Sequence, residues 1–157
     1  MTPVRFRLLP VLAVIGLLAV LPAARATSSR PHPAIPSAPF NLAAARLRSE
    51  ISTAIFHAAL AEAMENVAGA HLHLHHVINC LVAPSNPHFD PHVLEPCRGL
   101  GHGALNDAPA GPVRVLLAHA LTLALRAEAS RSFPQVHALA GRVRADLVRA
   151  RHSLNKH

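Results

Sequence analysis

His71-Leu72-His73-Leu74-His75-His76-Val77-Ile78-Asn79-Cys80-Leu81-Val82 is the stretch on which both the fold and the chemistry of this chain turn. Within it Leu74, Val77, Ile78 and Leu81 recur at steps of three, one and three, which at 100° per residue gathers them on one face of an α-helix. The same rotation places His71 and His75 along one edge of that face and His73, His76 and Cys80 along the other. Pairs four apart (His71/His75, His76/Cys80) and three apart (His73/His76) fall on neighbouring turns, the spacing by which a helix chelates a metal ion. Neutral imidazole is the commonest protein ligand for transition metals, so copper, zinc or nickel is the ligand class this pattern points to.

Working outward, the residues before this helix read as another. From Asn41 or Leu42 to Asn66 the apolar residues Leu42, Leu47, Ile51, Ile55, Phe56, Leu60 and Met64 recur mostly every three to five positions, with no Gly or Pro between them. Asn66 to Gly69 supplies a turn, and the second helix is expected from about Ala70 to Val82, closed by Ala83-Pro84. Counting outward from a turn near Val67 or Ala68 sets His57 level with His76 to Asn79 on the facing helix. His57 is therefore expected to complete a site with His75 or His76, and His119 is a further candidate from a second hairpin.

Pro84 to Pro112 is rich in proline and glycine and reads as a long irregular connection (83–112), of the kind that in small domains is functional or covalently tied. Pro112 suits the first turn of a third helix running to Glu128, and Pro134 opens a fourth reaching about Arg151. Ile55-Phe56-His57-Ala58 is echoed by Leu117-Ala118-His119-Ala120. The expected fold is all-α: a four-helix bundle of two antiparallel hairpins joined by the long loop, as one domain over 42–157. Tyr and Trp are absent and there are only 5 Phe, so its core must be packed from Ala, Leu and Val, which favours close helix packing over sheet.

The first 26 residues carry Arg5 and Arg7, an apolar run from Leu8 to Leu21, and Ala24-Arg25-Ala26, the layout of a cleaved signal peptide. That run is shorter than the ~20 residues needed to span a bilayer. Residues 27–41 form a proline-rich lead-in, expected to be extended or disordered. A periplasmic or secreted protein is expected, and in such a compartment Cys80 and Cys97, the 2 cysteines of the chain, most simply pair. The alternative keeps Cys80 as a thiolate ligand one turn from His76.

Of the formal charge of +7, Arg5, Arg7 and Arg25 belong to the signal, which leaves 12 basic against 8 acidic residues, or +4. Seven Arg and Lys156 fall after residue 113 against Glu128 and Asp146 alone, so the C-terminal helices are basic. This makes an anionic envelope surface or an acidic envelope protein a conceivable partner, whereas export disfavours nucleic acid. No enzymatic activity is expected: the acids near the His cluster show no acid/base spacing, Ser85 has no nucleophile elbow, and Gly99-x-Gly101-x-Gly103 does not open a helix after a strand. No C-x-x-C-H haem site and no nucleotide motif are present in the sequence.

His73-Leu74-His75-His76-Val77-Ile78-Asn79-Cys80-Leu81-Val82, then Phe89-Asp90, then Pro96-Cys97-x-Gly99-x-Gly101-x-Gly103-Ala104 with Asp107, resembles the signature of an uncharacterised family of small exported bacterial helical proteins. The likeness covers about residues 50–110. The His-rich helical design is also similar in architecture to small periplasmic metal-binding proteins, which implies metal binding or buffering but no particular ligand set. The competing expectation is a structural or interaction module of the cell envelope that presents the disulfide-tied loop to a partner.

Overall fold

A computed structural model describes residues 41–155. The expected signal peptide (1–26), the lead-in up to residue 40, and residues 156–157 lie outside the described residues. Those described form five helices and no strand: α1 (Leu42–Ala63), α2 (Val67–Leu81), α3 (Ala104–Asp107), α4 (Pro112–Glu128) and α5 (Phe133–Leu154). None is long and apolar enough to cross a membrane.

Each long helix begins where its sequence gives the first amides a partner or removes the need for one. Asn41 Oδ1 accepts from the Ala44 amide at 3.2 Å, and Asn66 Oδ1 accepts from the Gly69 amide at 2.8 Å. Pro112 and Pro134 sit in the first turns of α4 and α5, where a missing N–H costs nothing. The role of Asn66 explains one difference from the sequence expectation. It is the N-cap and not the interior of a turn, so α2 starts three residues before Ala70 and the α1–α2 connection shrinks to Met64–Asn66.

The buried residues of α1 (Leu47, Glu50, Ile51, Ala54, His57, Ala58, Ala61) follow a helical stripe, and three of them are alanines that let neighbouring backbones approach. α1 packs on α2 and α5, and α4 packs on α5 and α2, so all four long helices share one core. Leu74, Ile78 and Leu81 of α2, Leu117 and Leu123 of α4 and Val143 and Leu147 of α5 fill it. Apart from the buried Cys80 and Cys97 it is aliphatic, as the shortage of aromatics requires.

Three ties hold the connection between α2 and α4. The Cys80–Cys97 disulfide is formed, with Cα atoms 5.2 Å apart. One residue earlier, the Asn79 carboxamide donates to the Asp90 carbonyl (2.8 Å) and accepts from the Asp90 amide (3.0 Å). Further on, the Gly103 amide donates to Glu50 Oε1 at 2.8 Å. Two glycines of the quoted signature, Gly101 and Gly103, serve this last tie. Gly103 has φ +95° and lies so close to the Val82–Ala83 peptide that a Cβ would stand 2.5 Å from the Val82 carbonyl carbon. A Cβ on Gly101 would fall between the Asp107 and Glu50 carboxyl groups. The loop expected to be irregular also contains the single turn α3, entered through Gly103.

Candidate metal centre

The tight α1–α2 turn fixes how the two helices align, and with it which residues meet across their seam. His57 of α1 comes to His76 and His73 of α2: the His57 Nδ1 lies 3.2 Å from His76 Nδ1 and 3.3 Å from His73 Nδ1. One ring nitrogen from each lies within 4.8 Å of the other two. The rings are mutually inclined, His57 to His76 at 71° with centroids 4.6 Å apart. His57 is 9% and His76 6% exposed, with His73 more open.

Hydrogen bonds among the three rings serve at most one of these two contacts well. A ring nitrogen carries either one hydrogen or one lone pair, directed along a single line in the ring plane, yet His57 Nδ1 faces two other nitrogens. His76 Nε2 is buried with no partner among the described residues. A cation placed among the three nitrogens would use all three lone pairs at once. The protonation states suit it: burial, followed by the charges of His76 and His73, lowers the His57 pKa to about 4, and burial also lowers His73 and His76. The rings are therefore neutral at pH 7, the form that ligates.

The remaining candidates have other partners. His71 Nε2 donates to the Ala127 carbonyl at 3.1 Å. His75 lies with Nδ1 2.8 Å from Glu128 Oε1, off the line a hydrogen bond needs, so that this buried oxygen has no well-directed partner. Burial lowers His75, and burial with the nearby Asp90 charge raises Glu128 to about 8, so the pair is uncharged near neutrality despite the short contact. His119 Nδ1 is 2.5 Å from the buried Asp146 carboxylate, which Arg149 also binds. The two edges of α2 read from the sequence are thus real and face different helices: His73 and His76 turn to α1, His71 and His75 to the end of α4. The His57–His119 echo does not carry over into a shared environment. Cys80 and Cys97 are consumed by their disulfide, which removes the thiolate alternative.

The sequence reading gave Glu50 and Asp146 only their charge. A usable signal was there: each sits inside an apolar stripe, Glu50 between Leu47 and Ile51 and Asp146 between Val143 and Leu147, where an acid is buried and needs a partner. Glu50 is 1% exposed; burial raises its pKa to about 7 against the lowering effect of the Gly103 amide, and Asp107 raises it further.

Over the described residues, fold and centre together define an all-helical, disulfide-bonded unit with three histidines close enough to hold a metal ion. Comparison with known protein families, with curated proteins and with solved structures finds no match to this chain.

Proposed function

We propose that this chain is an exported, non-enzymatic protein that binds or buffers a transition-metal ion at His57, His73 and His76, within a four-helix bundle of two hairpins. One observation carries the reading: the Nδ1 atoms of His76 and His73 lie 3.2 and 3.3 Å from His57 Nδ1, so that one ring position faces two others. A disulfide supports export, because such bridges persist in oxidising compartments. The likeness of the His73–Asp107 signature to small exported helical proteins agrees with it and adds no ligand assignment.

The test is metal uptake by protein purified without an affinity column and stripped with chelator. Calorimetry with zinc should give one site of about micromolar affinity or better, ~8 kcal/mol. The pair His57→Ala/His76→Ala should lose it, whereas His71→Ala and His119→Ala should keep it. Equal uptake by all variants would mean adventitious binding by exposed histidines.

A second reading, an envelope interaction module, is favoured by the loop itself. It is tied at Asn79, Cys80 and Glu50 and carries Leu94 70% exposed, a rigid segment presenting an apolar side chain. Loss of partner capture on Leu94→Ser with metal uptake intact would support it.

A further inference from the structure

The two nitrogen separations from His57 bear on which of the ions that imidazole binds would fit this centre. Three ligands of a tetrahedral ion at ~2.05 Å stand about 3.3 Å apart, whereas adjacent ligands of a planar or octahedral ion at ~2.0 Å stand about 2.8 Å apart. Both separations measured from His57 Nδ1, 3.2 and 3.3 Å, match the first value and exceed the second by about half an ångström. His57 and His76 are buried between packed helices, which resists their drawing closer, while His73 is more open.

The donor set limits the ion further. Among the described residues the group of possible ligands contains three histidines and no carboxylate or thiolate, so the protein supplies three neutral nitrogens and leaves a fourth position open. The two cysteines are oxidised, and in surroundings that keep a disulfide intact copper(I) is not the default form of copper.

Resting on the metal-binding reading above, we propose that the centre is a tetrahedral zinc(II) site with three Nδ1 ligands, His57, His73 and His76, and a fourth ligand drawn from solvent. It discriminates against nickel(II), which demands a planar or octahedral set. The general stability order alone gives zinc no such advantage; here the spacing of the nitrogens decides.

Cobalt(II) reports the geometry directly, because four-coordinate cobalt absorbs visible light far more strongly than six-coordinate. Chelator-stripped protein with its disulfide intact should develop the intense four-coordinate spectrum on cobalt titration, and one equivalent of zinc should abolish it. Added azide should shift the bands by replacing the solvent ligand. In competition zinc should bind at least about tenfold more tightly than nickel, ~1.4 kcal/mol. A weak six-coordinate spectrum, or nickel binding as tightly as zinc, would overturn the tetrahedral assignment while leaving metal binding in place. Bands indifferent to azide would mean that the protein fills the fourth position, which overturns the open site. Absence of saturable uptake of cobalt, zinc and nickel alike, or uptake unchanged in His57→Ala/His76→Ala, would instead remove the metal reading itself.

Discussion

At His57 one ring nitrogen meets two others in a nearly closed seam, and without a metal at most one of the two contacts is a well-directed hydrogen bond. Replacing the ring by an apolar side chain of similar size removes that conflict. His57→Leu should therefore raise the stability of the metal-free protein by ~1 kcal/mol in urea unfolding, while abolishing metal uptake. A less stable variant would mean that the three rings are satisfied without a metal. Proton competition follows from the same burial. Free histidine loses its lone pair to a proton below about pH 6.5, but His57 is held near 4 with His73 and His76 also lowered. Metal affinity should consequently stay level from pH 8 to 6.5 and decline only in more acid solution, as titrations at pH 5, 6.5 and 8 would show. Gly103 is the other residue where a single atom decides. Its φ of +95° and the Val82 carbonyl carbon 2.5 Å from any Cβ predict that Gly103→Ala costs ~2–4 kcal/mol, measurable by denaturant unfolding.

For the elements, the α2–α4 connection depends on ties that act independently. Reducing Cys80–Cys97 opens a crosslink spanning 17 residues, a loss of ~3 kcal/mol on the chain-entropy account. Because the Asn79–Asp90 and Glu50–Gly103 hydrogen bonds remain, the helices should stay formed and amide exchange should quicken first around residues 91–100. Exchange that quickens equally in α1 and α5 would show the disulfide to be a global support. The α1–α2 turn rests on one cap. Asn66→Ala should cost ~1 kcal/mol and weaken metal binding as well, since the alignment of His57 with His73 and His76 is set there.

In the whole molecule, opposing titrations set the pH of greatest stability. Glu50 and Glu128 are raised to about 7 and about 8 by burial, so the fold retains protons that the unfolded chain releases above 4.5. Their contribution is fully present below 4.5 and is lost as pH rises through 7 and 8. His57, His73, His75 and His76 are lowered, so their contribution is present above 6.5 and is lost as pH falls toward 4. Above pH 6.5 only the glutamates still titrate differently in the two states, so the melting temperature of the metal-free protein should fall from pH 6.5 to pH 8; a continuous rise to pH 8 would contradict the buried, protonated state of the two glutamates. What the sequence determined by itself is what one helix, or one tight turn, decides locally. The helical segments, the two histidine edges of α2 and the nomination of His57 across a short hairpin follow from 100° and 1.5 Å per residue. The pairing of Cys80 with Cys97 is the expectation for two cysteines in a chain that reads as exported, and only the fold closes the alternative of Cys80 as a thiolate ligand. Which neighbour each edge meets was beyond that reach. That His73 joins His57 while His75 turns to Glu128, that His119 goes to Asp146, and that Glu50 reaches Gly103 across 53 residues depend on how whole helices rotate and slide against one another. Rotation and offset are fixed by the fit of Ala, Leu and Val side chains throughout the shared core, a property of all four long helices together that no single stretch of residues contains.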